Sequence, residues 1–263
     1  YLHCGPTAVF LDEHPDYVKR DADGNLLTNN YHFLLLNFDN PALCEYMWQN
    51  MEFCIREFDC DGFRCDVAPL VPLEFWLKAR AEVGTVHPGC FWLSESIEPE
   101  FIRYLRGQGL VAHSDAEIFQ AFDVAYDYDI FGIFRGYLQG KLPLSAYADA
   151  VTRQESMYPE NYVKLRYLEN HDVARAAQII PDEKARQNWT AFQYFQKGLT
   201  MLYGGQEVDA VHRPGLFDKD DVNWSGGHNQ SDLLRRLAEL KKSIRKNQLL
   251  LLMVLPGAHS VWP

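Results

Sequence analysis

Four strand ends hold the chemistry this sequence can do most readily. In DGFRCDVA, residues 61–68, Arg64 and Asp66 stand two apart inside an apolar, strand-like run. Positions i and i+2 of a strand face the same side, so guanidinium and carboxylate project together into one space. That space is either a salt-bridged core or a site. Three more strand ends carry acids or amides: Glu95 closing CFWLSES, Asn170-His171-Asp172 after VKLRYLE, and Gln206-Glu207 after LTMLYGG. Carboxylates offer proton transfer and nucleophilic attack. Taken singly, each has a structural alternative: Asp66 pairs with Arg64, and Asp172 caps a following helix. Three acids converging in one water-poor place would repel one another unless function required them.

The elements that must position them follow an alternating order. Asn40-Pro41 reads as an N-cap with Pro at the first helical position, and Leu43, Met47, Met51, Cys54 and Phe58 fall on one helical face that ends at Asp61-Gly62. The Arg64 strand follows, then a helix from Pro72 to about Val83, a turn at His87-Pro88-Gly89, and the strand Cys90–Ser96. Further strands are expected at 122–128, 163–170 and 199–205, and helices at 144–153, 183–197 and through Leu233, Leu237, Leu240 and Ile244. Strands separated by helices imply parallel crossovers, which close into a doubly wound sheet or a (β/α)8 barrel. In a barrel the C-terminal strand ends share one mouth, and a barrel unit averages about 31 residues. Asp66 to Glu95 is 29 residues and Asp172 to Glu207 is 35, one unit each, whereas Glu95 to Asp172 is 77, room for two units with an insertion. Residues 11–37 read as a long loop, with a β-turn at DADGN, which lacks the third carboxylate and closing Glu of a calcium loop.

GFRCD (62–66), WLSES around Glu95 and ENHD (169–172), in this order and spacing, resemble three short signature regions of the α-amylase family, glycoside hydrolase family thirteen. LNFDNP (36–41), GGQE (204–207) and FDKDDVNW (217–224) extend the similarity over most of the chain. The resemblance implies an α/β fold, a (β/α)8 TIM barrel, with Asp66 as nucleophile, Glu95 as general acid/base and Asp172 as the third acid, which helps distort the sugar. It implies that Arg64 keeps Asp66 ionised and aimed, and that negative charge nearby raises Glu95 for its task as a proton donor. His171 matches the sugar-binding histidine, with a supporting structural role as its alternative. His3 matches the end of a fourth signature. Arg175 either braces the mouth or is simply solvated.

The implied activity is retaining hydrolysis of α-glucosidic, α-1,4, bonds in starch-type glucans or maltodextrins. A transglycosylase would use the same acids, and a carbohydrate-binding relative without catalysis is the reading from another class. No cofactor is expected: G-x-G-x-x-G, P-loop, G-x-S-x-G and H-E-x-x-H motifs do not occur. Two positions depart from the family pattern at residues that commonly serve calcium, Leu2 in place of Asn and Leu35 in place of Asp, and leucine offers no oxygen to a hard cation. Family barrels have strands before the one ending at His3, so the barrel is expected to be incomplete at the N-terminus. The expected organisation is a catalytic barrel over 1–248, with a long loop at 4–37, and the start of a C-terminal β domain at 249–263.

A net charge of −11 without a dense basic run argues against nucleic acid and anionic membranes as partners and suits a neutral α-glucan. The apolar run 249–255 is too short to span a bilayer. The six cysteines show no C-x-x-C pair and no metal spacing. They read as buried thiols, which favours a cytoplasmic over a secreted setting, with disulfides as the alternative that an even count permits.

Overall fold

A computed structural model describes residues 4–29, 32–225 and 227–243. The chain divides into two compact units, Tyr1–Ala125 and Tyr126–Pro263, with the boundary inside a strand. His3, Leu2, Ile244 and the 249–263 stretch lie outside the described residues.

In the first unit the order is α1 (Phe10–Glu13), α2 (Pro41–Phe58), β1 (Gly62–Cys65), α3 (Leu73–Val86), β2 (Phe91–Ser94), α4 (Pro99–Gly107), α5 (Asp115–Ile118) and β3 (Val124–Tyr126). β1 pairs with β2, and β2 with β3, all in parallel. α2 begins as its sequence dictates: the Asn40 side chain accepts the Ala42 N–H at 2.9 Å ahead of Pro41. Its buried face is Leu43, Cys44, Met47, Met51 and Ile55, and this packs on α3. Phe58, expected on that face, is 66% exposed, because the helix ends there and Asp59 turns left-handed. Phe75, Trp76, Ala79 and Val83 of α3 complete the layer, with Trp92 of β2 buried beneath.

Close strand approach rests on Gly62, where a Cβ would stand 2.1 Å from the Phe91 carbonyl oxygen. Asp123 locks the third strand in place, since its carboxylate accepts the Trp92 N–H at 2.9 Å and takes Arg80 at 2.6 Å. The expected loop over 11–37 is more ordered than its polar sequence implies. It contains α1, a 3-10 turn at Pro15–Tyr17 and antiparallel bridges Val18 to Leu36, Arg20 to Leu26 and Thr28 to Leu34. DADGN is a turn, with Asp21 accepting the N–H groups of Asp23 and Asn25 at 2.9 and 2.8 Å.

The second unit carries α6 (Tyr128–Leu138), α7 (Leu144–Met157), β4 (Lys164–Arg166), α8 (Ala176–Ile179), α9 (Glu183–Phe195), β5 (Leu199–Thr200) and α10 (Ser231–Ser243). β4 and β5 pair in parallel, and both are shorter than expected. β3 likewise ends at Tyr126, so Tyr128, expected in a strand, opens α6 instead. Under α6 and α7 lies a buried ionic network. Arg166 grips both oxygens of Asp127 at 2.8 Å, Lys164 reaches Asp129 at 2.8 Å, and the Gln154 amide donates to both acids at 2.9 Å. Each charge taken from water here has an opposite partner and further hydrogen bonds, the condition for a buried pair to be tolerated. α4 and α6 were not expected from sequence. No described helix is long and apolar enough to cross a membrane.

Candidate active site

Parallel register levels the first two acids. Cys65 and Ser94 are cross-strand partners, so Asp66 and Glu95 are the next residues on adjacent strands, and the Glu95 N–H donates to the Cys65 carbonyl at 3.0 Å. Arg64 rises from the strand beside them and pairs with both: NH1 with Asp66 Oδ1, and NH2 with Glu95 Oε1 at 2.5 Å. The expectation tied Arg64 to Asp66 alone; the guanidinium is shared.

Immediately after Asp66 the chain leaves the strand through Val67 at φ 35°, ψ 42°. A β-branched residue in the left-handed region is strained, and such strain persists only where surroundings impose it. Here the kink turns the Val67 N–H onto Glu95 Oε2 at 2.9 Å. The Val67 side chain packs against the apolar cluster of Ile97, Ile102, Leu105 and Ala112.

The two acids differ in exposure, with the side chain of Glu95 at 7% and that of Asp66 at 35%. Burial pushes the Glu95 carboxyl up to about 7, and the neighbouring Asp66 adds to the rise, against the pull of the Val67 N–H and Arg64. Desolvation rather than negative charge is therefore the larger cause. A carboxyl poised near 7 can hold a proton for donation and take one back.

In the second unit the segment after β4 folds on Asn170. Its Oδ1 accepts the N–H groups of Asp172 and Val173 at 2.8 and 3.1 Å, an Asx turn that presents Asp172 with its side chain 42% exposed. The Tyr128 hydroxyl donates to Asp172 Oδ2 at 2.8 Å and accepts from Asn170 Nδ2 at 2.9 Å. His171 Nε2 stands 3.4 Å from the same Oδ2, and Arg213 donates to the Asp172 carbonyl at 2.7 Å.

Arg175 is not solvated. It is fully buried, 2.6 Å from Glu169, donates to the His212 carbonyl at 2.9 Å and lies over the Tyr203 ring. The turn thus rests on an ion pair beneath it. Of the sequence-derived residues, Arg64, Asp66 and Glu95 come together in the first unit, and His171 and Asp172 in the second. Val67, Tyr128 and Arg213 were not anticipated. Asn170 had a signal in its turn-forming residue type, whereas a left-handed valine has none. Leu35 sits in the early ladder, its N–H donating to Leu27 and its carbonyl accepting from Lys19.

Residues 26–247 match the sequence profile described as alpha amylase, catalytic domain. Among curated proteins, the chain is 22% identical over 222 residues to Alpha-amylase 2 of Dictyoglomus thermophilum, covering 79% of this chain and 37% of that protein. It is 29% identical over 217 residues to the intracellular maltogenic amylase of Bacillus subtilis, covering 79% and 34%. Among solved structures, an alpha-amylase from Lactobacillus plantarum superposes with TM-score 0.88 at 39% identity, over 92% of this chain and 58% of that one. A maltogenic alpha-amylase from Thermotoga neapolitana gives 0.80 at 34%, over 92% and 54%. The chain thus spans about a third of the length of the curated relatives.

Proposed function

Because this chain belongs to the alpha-amylase catalytic-domain family, with the α/β architecture of parallel strands and helices that a (β/α)8 barrel uses, we propose that it cleaves α-1,4-glucosidic bonds in maltodextrin-type glucans with retention of configuration. One observation carries the reading: on adjacent strand ends, a buried Glu95 poised at about 7 and a more exposed Asp66 share a single arginine. Two carboxyls in different surroundings can take different protonation states, as an acid and a nucleophile must.

In the first step an Asp66 oxygen attacks the anomeric carbon, the glycosidic C–O bond breaks, and Glu95 gives its proton to the departing oxygen. In the second, Glu95 takes a proton from water, whose oxygen attacks the same carbon and releases Asp66. Arg64 faces whichever carboxylate is negative at each stage. The resemblance of ENHD to the family's signature assigns Asp172 and His171 to hydroxyls of the sugar, where they would favour its flattened, cationic transition state. Similarity to proteins named for maltogenic amylase and cyclomaltodextrinase supports short α-glucans as substrates.

The test is proton NMR of maltotriose cleavage by the intact protein. The first-formed new reducing end should be the α-anomer, and Asp66→Asn should lower turnover by at least about 10³-fold. A β-anomer at first turnover, or an active Asp66→Asn variant, would refute the mechanism.

A further inference from the structure

The hydrogen bonds around Asp172 have a fixed direction. Asn170 Oδ1 accepts two backbone N–H groups, at 2.8 and 3.1 Å, so its amide cannot be flipped without setting donor against donor. Nδ2 therefore faces the Tyr128 oxygen, at 2.9 Å, and occupies it as an acceptor. A phenol carries one proton, and Asp172 Oδ2 stands 2.8 Å away to receive it. Tyr128 is itself held by the start of α6 and by ring contacts with Tyr126 and Tyr167, at centroid distances of 5.5 and 5.9 Å. Both Tyr128 and Asn170 are buried, whereas Asp172 opens to solvent.

We infer that Tyr128, oriented by Asn170, is a positioning residue that pins Asp172 through Oδ2 and leaves Oδ1 as the oxygen presented to a sugar hydroxyl. This rests on the assignment of Asp172 to the sugar. Without the phenol the carboxylate loses its one short side-chain hydrogen bond among the described residues and keeps the looser approach of His171 Nε2 to Oδ2, at 3.4 Å, besides its backbone anchors at Asn170 and Arg213, so its side-chain torsions are freer. Sugar distortion needs that carboxylate at one place, so the loss falls on turnover more than on binding.

The experiment is a double-mutant cycle in the intact protein, using maltotriose and, for crippled variants, α-maltosyl fluoride. Tyr128→Phe keeps the ring and removes one oxygen. It should lower kcat by about 10–100-fold, the usual cost of losing a group that orients a site residue, with KM changing less than about threefold. Its melting temperature should stay within about 5 °C of wild type. In an Asp172→Ala background the same substitution should cost less than about threefold, since nothing remains to be positioned. Equal losses in both backgrounds would make the phenol merely structural and overturn the inference. Wild-type kcat in Tyr128→Phe beside a crippled Asp172→Ala would overturn it while sparing the role of Asp172. A fully active Asp172→Ala would remove both. Should Tyr128→Phe melt early, Asn170→Ser, which leaves the phenol unoriented, must show the same background dependence, and its absence counts against the proposal.

Discussion

At the scale of single residues, the account turns on one guanidinium serving two carboxyls. Arg64 reaches Asp66 and Glu95 together, and Val67, held left-handed, adds its N–H to Glu95. Folding raises the Glu95 carboxyl from an ordinary 4.5 to about 7, chiefly by burial. A group raised in this way contributes stability that is fully present below pH 4.5 and is lost as pH rises through about 7. Above that point the folded state holds a desolvated anion, at a cost of roughly 3 kcal/mol. Glutamine has no such titration. Glu95→Gln should therefore gain stability relative to wild type as pH increases from 4.5 to 7 and hold the gain above it, in thermal melts read across that window. A difference independent of pH would show that Glu95 is not held protonated. Asp66, Glu95 and Asp172 were legible because short motifs carry them. Tyr128 was not, since FDVAYDY alternates like a strand and only the folded chain shows α6 starting at its last tyrosine.

At the scale of elements, the site depends on register. A slip of one residue between β1 and β2 would turn Asp66 and Glu95 to opposite faces. Gly62 protects that register at the entry to β1, as Gly198, at φ 125° and with its Cβ position 2.2 Å from the Lys164 carbonyl, does before β5. Gly62→Ala should destabilise the protein by about 3 kcal/mol in urea unfolding, because the clash is with backbone that cannot rotate away. An unchanged midpoint would show that the two strands have slack. The start of α2, the order of strands and helices, and the levelling of two acids one barrel unit apart were all readable, since capping chemistry and spacing are local facts. Strand lengths were not. LTMLYGG is apolar enough for seven strand residues, yet pairing with β4 stops after Leu199–Thr200. Nor was the ladder at 18–36, whose isolated bridges Val18 to Leu36, Arg20 to Leu26 and Thr28 to Leu34 are separated by polar turn residues and are too short to set a side-chain period.

For the whole molecule, alternating strands and helices identified a parallel α/β chain, and the family match accords with it. The division at Ala125 had no sequence signal, because it falls inside β3 rather than at a linker. Charge also acts at this scale: a net charge of −11 does not oppose a neutral glucan, and because the proposed substrate carries no titrating group, the pH dependence of its turnover reports groups of the protein. The most direct test of Glu95 as proton donor is therefore the pH profile of kcat/KM for maltotriose set against α-maltosyl fluoride, whose leaving group needs no proton. Wild type should lose maltotriose cleavage on an alkaline limb near 7. Glu95→Gln should lose maltotriose turnover by about 10³-fold, yet keep kcat/KM for the fluoride within about tenfold, with no alkaline limb. Equal loss on both substrates, or an intact limb near 7 in Glu95→Gln, would contradict the account.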